Sequence, residues 1–144
     1  NVFINIQKNY YNKREVFKLL GEFSEDISEL FVWEKSNPLP SSGKSITNSY
    51  EFVIALGKTL KSNRTYTKNH ITTSVAKMPS DHKAVMHPDV AEFFISNFTH
   101  QGDWVYDPFM GTGTTAKVCY SKGLVCGGSE LSKEYYDKYK LGMT

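Results

Sequence analysis

Several common signals are scarce or missing in this sequence. It holds two cysteines, Cys119 and Cys126, and four histidines, without the spacing of a metal-ligand set, so no zinc site is expected. The two thiols are expected to act as small buried hydrophobic groups in a reducing compartment. No run approaches the roughly 20 apolar residues that cross a bilayer, and no membrane partner is expected. The N-terminus shows no basic region followed by an apolar stretch and a small-residue cleavage site, and the expected localisation is cytoplasmic. Neither sign of charge dominates. Lys plus Arg number 17 against 15 Asp plus Glu, a net charge of +2, which does not by itself demand a nucleic-acid partner. No Ser/His/Asp nucleophile arrangement is readable. The five prolines include no adjacent pair.

What is present suffices for one core: 144 residues, 40% of them hydrophobic. VFINI at 2–6 reads as a buried strand. Val16, Leu19, Leu20, Phe23 and Ile27 recur at helical spacing and predict a helix over 13–30, weakened at Gly21. LFVWE at 30–34 and YEFVIALG at 50–57 read as strands, separated by a Pro/Ser/Gly-rich loop. Residues 58–86 have no clear period and read as an excursion outside the core. That stretch carries Lys58, Lys61, Arg64, Lys68, Lys77 and Lys83 against one acid, Asp81. A helix begins at His87-Pro88, where proline suits the first helical position, with Val90, Phe94 and Phe98 on one stripe. WVYD at 104–107 is a strand, 114–122 a helix with Gly123 as its C-cap, 124–128 a strand, and Ser132 caps a last helix. Strands alternating with helices predict an open, mostly parallel α/β sheet with helices on both faces. Such sheets bind ligands beyond the carboxyl ends of their strands.

DPFMGTGTTA, 107–116, is the segment with chemistry in it. A phosphate-cradling nucleotide loop needs lysine after its last glycine, and Thr114 stands there instead. A dinucleotide turn is met in spacing by Gly111, Gly113 and Ala116, with Glu130 after the next strand available to ribose hydroxyls. S-adenosylmethionine also has a ribose, but carries an ammonium and a sulfonium in place of a pyrophosphate. Asp107 at the strand end would repel a pyrophosphate and suit that cationic end. Gly111 and Gly113 admit close backbone approach, and Thr114 and Thr115 open a helix that could receive a carboxylate. The balance of charge favours S-adenosylmethionine over a nicotinamide dinucleotide.

The block His87 to Tyr136 resembles the amino-methyltransferases of DNA, the adenine-N6 and cytosine-N4 enzymes of restriction–modification systems and phages. The resemblance rests on His87-Pro88, Gly102-Asp103, Val105, Asp107-Pro108-Phe109, Gly111, Gly113-Thr114-Thr115, Glu130 and Tyr135. Upstream, VWEKSNPLP and NSYEFVIALGK are similar to the family's later sheet strands. The resemblance implies a Rossmann-like methyltransferase fold and an S-adenosylmethionine pocket lined by Asp107, Phe109, Gly111, Gly113, Thr114 and Glu130. His87 would lie near the methionine end. The family more often has a β-branched residue where this chain reads Gly128-Ser129.

The family's chemistry sits in a (D/N/S)-P-P-(Y/F/W) tetrapeptide, whose aromatic stacks on a flipped base. This chain has none. Asn37-Pro38-Leu39-Pro40 is the nearest string and lacks both the paired prolines and the aromatic. The expectation is that the tetrapeptide lies upstream of Asn1, and that this portion alone is inactive. By family order, 1–57 ends the catalytic half, 58–86 is the target-recognition excursion and 87–144 binds cofactor. Lys61, Arg64 and Lys68 are then expected to contact double-stranded DNA. Adenine is preferred to cytosine as the target, and a homodimer is an admitted assembly. The rivals are an NAD-dependent oxidoreductase fragment and a catalytically dead DNA-binding relic.

Overall fold

The computed structural model describes residues 1–40, 46–74 and 85–140. These fall into two compact units, one within Asn1–Ser62 and Tyr66–Val75, the other within Asn63–Thr65 and Ala76–Thr144. Lys77, Asp81, His82 and Lys83 of the basic stretch lie outside the described residues.

In the first unit, β1 (Val2–Ile6), α1 (Lys13–Glu22), β2 (Ile27–Lys35), β3 (Tyr50–Leu56) and β4 (His70–Thr73) form a sheet of order β1-β3-β2-β4 with one helix. β3 runs antiparallel to both neighbours, and β4 is parallel to β2. Three of the four strands therefore share a direction, with β3 reversed between two of them. Val53, Ile54 and Ala55 are buried in succession, as a central strand with both faces covered requires. Trp33 is buried too, and its indole N–H donates to Thr73 Oγ1 at 2.8 Å, which satisfies a polar group the core could not otherwise accommodate.

Two expectations are corrected here. The helix expected over 13–30 stops at Glu22, and Phe23 closes it by donating its N–H to Leu19 O. Ile27 leaves the helical stripe and opens β2, opposite Leu56. Gly21 and the polar Ser24-Glu25-Asp26 favour helix weakly, and sheet pairing wins from Ile27 onward. The excursion over 58–86 contains a strand that periodicity did not reveal. Ile71 and Thr73 of β4 face inward, but with one of the two polar there is no apolar alternation to read. Backbone bonds to β2 hold it: Val32 N–H to Asn69 O and Ser36 N–H to Thr73 O, both 2.9 Å.

The second unit contains α2 (Pro88–Phe98), β5 (Trp104–Asp107), α3 (Thr114–Ser121), β6 (Val125–Gly128) and α4 (Lys133–Tyr139). β5 and β6 pair in parallel, from Trp104 opposite Val125 to Asp107 opposite Gly128. Ala91 and Ile95 of α2 meet Val118 and Cys119 of α3 in a core against which Val105, Leu124 and Cys126 pack. Both thiols are free. Burial pushes the Cys119 thiol up to about 12, aided by the neighbouring Cys126 and by Asp107. The expected helix ends hold. Pro88 is in the first turn of α2, Gly123 takes the left-handed conformation (φ 66°) after α3, and Ser132 Oγ accepts the Tyr135 N–H before α4.

Candidate cofactor-binding site

Because β5 and β6 are parallel and in register, Asp107 and Gly128 end side by side, and the loops that follow leave the sheet on one edge. The pairing runs on beyond the strands. Ser129 N–H donates to Asp107 O at 3.0 Å, and Met110 N–H donates to Ser129 O at 2.9 Å. Between β5 and α3 the chain turns at Gly111 and Gly113, with φ of 52° and 75°. Side chains disfavour that region by about 1–2 kcal/mol per residue, which is why glycine occupies both.

Two carboxylates brace this turn. Asp107 accepts the Phe109 N–H at 2.9 Å through Oδ1 and the Thr115 hydroxyl at 2.7 Å through Oδ2. It thereby ties the strand end to the first turn of α3, where a negative charge also favours the helix dipole. α3 has no acid of its own there, whereas α1, α2 and α4 carry Glu15, Asp89 and Glu134. Glu130 accepts the Gly111 N–H at 2.7 Å through Oε2 and the Ser132 N–H at 2.8 Å through Oε1. The structure thus brings Asp107, Gly111, Gly113, Thr115 and Glu130 into one hydrogen-bonded assembly, with Thr114 opening α3 beside them. Phe109, in the same turn, is 87% exposed.

His87 caps α2, its Nδ1 accepting the Asp89 N–H at 3.2 Å. Lys61, Arg64 and Lys68 are all exposed, Arg64 within the second unit and the two lysines within the first. A cleft of about 340 Å³ opens between α3, β6 and α4, lined by Met110, Ala116, Tyr120 and Tyr136 with Gly111 and Glu130 at its wall. Asp107, Phe109 and Thr114 do not line it. The strand-end edge, which gathers the charged groups, is therefore the candidate site, with the cleft beside it.

Gly128 is a determinant that motif reading did not find. A Cβ there would stand 2.0 Å from Met110 Cε and 2.6 Å from Asp107 O. The flexible end of Met110 can move aside but the Asp107 carbonyl is backbone and cannot, so the strand pairing requires a bare residue at 128. The departure from the family's β-branched residue is a packing partner of Met110, and the Gly-Gly pair closing a strand was the available signal.

The DNA methylase family model, covering N6 and N4 methyltransferases, matches residues 1–141. The chain belongs to this family. It is 34% identical over 133 residues to the type II methyltransferase M.MwoI of Methanothermobacter wolfeii, across 81% of this chain and 19% of that protein. It is 28% identical over 142 residues to the type II methyltransferase M2.DpnII of Streptococcus pneumoniae, across 85% of this chain and 50% of that one. The chain thus spans half or less of the length of these relatives. Among solved structures, the M1.HpyAVI–SAM complex matches with a TM-score of 0.72 at 26% identity, over 99% of this chain and 75% of that one. The PvuII cytosine-N4-specific DNA methyltransferase matches with a TM-score of 0.79 at 20% identity, over 99% and 63%, a likeness of fold. The α/β methyltransferase fold expected from the sequence is the fold of this family member.

Proposed function

We propose that this chain binds S-adenosylmethionine at the strand-end edge of its second unit. In this reading it is the cofactor-binding and DNA-contacting part of an enzyme that methylates the exocyclic amine of adenine (N6) or cytosine (N4) in DNA. The observation that carries the reading is the pair of carboxylates, Asp107 and Glu130, meeting at one glycine turn beyond two adjacent parallel strands. Asp107 there opposes a pyrophosphate and favours a ligand with a positive centre, and Glu130 suits ribose hydroxyls. A carboxylate has about four acceptor positions, so bracing the turn does not exhaust Asp107. Asp107 would take the ammonium end and Glu130 the ribose, while Gly111 and Gly113 admit the ligand close to backbone. Thr114 and Thr115 would turn the first amides of α3 toward its carboxylate. Phe109, left in water, would gain cover by packing on it. When bound, the cofactor supplies a methyl group activated by a sulfonium. The M1.HpyAVI structure, a family likeness across nearly the whole chain, is described as a complex with this molecule.

Lys61, Arg64 and Lys68 supply the phosphate contacts in this reading. Because the 144 residues contain no (D/N/S)-P-P-(Y/F/W) tetrapeptide, the chain alone is expected not to transfer methyl, and that element has to be supplied to it. Calorimetry with S-adenosylmethionine and with NAD tests the cofactor assignment. Binding of the first and not the second is expected, and Asp107→Ala and Glu130→Ala should each weaken it by about tenfold or more, the value of a charge-assisted hydrogen bond. Thr115→Val removes a brace but keeps the carboxylate, and should cost much less. Tighter binding of NAD, or indifference to both acids, would overturn the reading.

A further inference from the structure

We infer that Asn63 is a positioning residue: it pins the segment carrying Arg64 to the C-terminal turn of α2, and that pinning sets how strongly Arg64 holds DNA. The inference rests on the DNA-contact reading above.

It starts from an incomplete helix end. α2 finishes at Thr99 in an extended conformation, with no glycine turn to fold the chain back and no basic side chain in its last turn. The last carbonyls of a helix need donors from outside it. The residues at this end donate backward instead. Asn97 Nδ2 donates to Phe93 O at 2.7 Å, and Thr99 donates its hydroxyl (2.7 Å) and its N–H (3.2 Å) to Ile95 O. Ser96, Asn97 and Thr99 still present their carbonyls. Asn63 meets all three. Its backbone N–H donates to Asn97 O at 2.7 Å, and its Nδ2 donates to Ser96 O at 3.3 Å and to Thr99 O.

The residue type suits the task. A short amide offers two N–H donors on one nitrogen, so it can reach two carbonyls while its own backbone reaches a third. Asn63–Thr65 accordingly clusters with the second unit, between flanking residues that belong to the first. At the base of this short excursion the hydroxyls of Ser62 and Thr67 bond to each other. Arg64 therefore extends from backbone fixed at the preceding residue. An arginine on unfixed backbone would lose chain entropy when it docked on phosphate, a loss equivalent to about tenfold in affinity per residue ordered.

The test is fluorescence-anisotropy titration of the full chain with a double-stranded oligonucleotide over a range of salt, with Asn63→Ala, Asn63→Ser, Arg64→Ala and Asn63→Ala/Arg64→Ala. Asn63→Ala, which deletes the side-chain bonds to Ser96 O and Thr99 O and keeps the backbone bond to Asn97 O, should lower affinity severalfold, up to about tenfold, at every salt concentration while the slope of log K against log salt holds, because no phosphate contact is deleted. Arg64→Ala should make that slope shallower by about one. The double variant should lose less than the sum, and Asn63→Ser, which keeps one donor, should fall between wild type and Asn63→Ala. S-adenosylmethionine affinity, read in parallel by calorimetry, should not change. If Arg64→Ala weakens DNA binding and Asn63→Ala does not, the inference fails and the function reading stands. If Asn63→Ala lowers cofactor affinity by the same factor as DNA affinity, Asn63 is a general structural residue and the inference also fails. Absence of salt-dependent DNA binding in the wild type would remove the reading beneath it.

Discussion

The chain has two tryptophans, both on strands, in neighbourhoods that read much alike: FVWE in β2 and WVYD in β5. Trp33 is 5% exposed and Trp104 is 78% exposed. Trp33 lies on an inner strand, between β3 and β4, with Thr73 to receive its indole N–H. Among the described residues, Trp104 lies on a two-stranded sheet whose α2/α3 side takes Val105 and Cys126, while Trp104 and Tyr106 alternate to the other side. Local pattern makes a strand in both places. The number of neighbouring strands and the presence of a second covering layer decide whether an aromatic residue on it contributes to a core.

The sharpest way to break that comparison is to delete each indole. Trp33→Ala should cost about 3–5 kcal/mol, a cavity plus the lost hydrogen bond to Thr73 Oγ1, and Trp104→Ala should stay within about 0.5 kcal/mol. Urea denaturation of both variants measures the difference, and equal losses would show that the β5 face is not bare. A smaller effect separates the two sheets at their strand ends. Gly128→Ala should cost about 1–3 kcal/mol through the collision with Met110 and Asp107 O. Shortening Met110 to alanine in the same chain should recover little of it, since the clash with the Asp107 carbonyl remains, and full recovery would mean that Met110 and not the backbone requires the glycine. A third effect is confined to alkaline pH. The Cys119 thiol titrates from the ordinary 9.0 when unfolded and is pushed up to about 12 in the fold. Between those values the folded chain holds a proton that the unfolded chain has released, so stability should fall as pH rises through that window. Cys119→Ala should flatten the fall in thermal melts recorded above pH 9, and an unchanged slope would place the thiol in contact with water.

Much of the second unit is legible in the sequence. The Asp107 strand end, the two-glycine turn, Pro88 and Ser132 at helix starts and Gly123 at a helix end are local signals, each decided within about four residues. The first unit is less so. Ile27 continued a helical stripe yet entered β2, because the pairing of β2 with β3 outweighed a weak helix end. β4 showed no period because a strand held by backbone bonds at a sheet edge needs only Ile71 and Thr73 turned inward. At the candidate site the participants were readable and their partners were not: Glu130 meets Gly111 N–H across 19 residues, and Asp107 meets Thr115.

The sequence by itself determined where strands, turns and caps form in the second unit, that two acids follow adjacent strands, and which family the glycine string resembles. These rest on backbone sterics and capping chemistry, which act over a single turn. Only the tertiary structure decided that both acids grip the glycine turn, that the Asp107 carbonyl demands a bare residue at 128, and that Asn63 completes a helix far ahead of it in the chain. Those outcomes depend on which carbonyls and amides are left without partners once the elements pack, and that can be settled only by the folded arrangement.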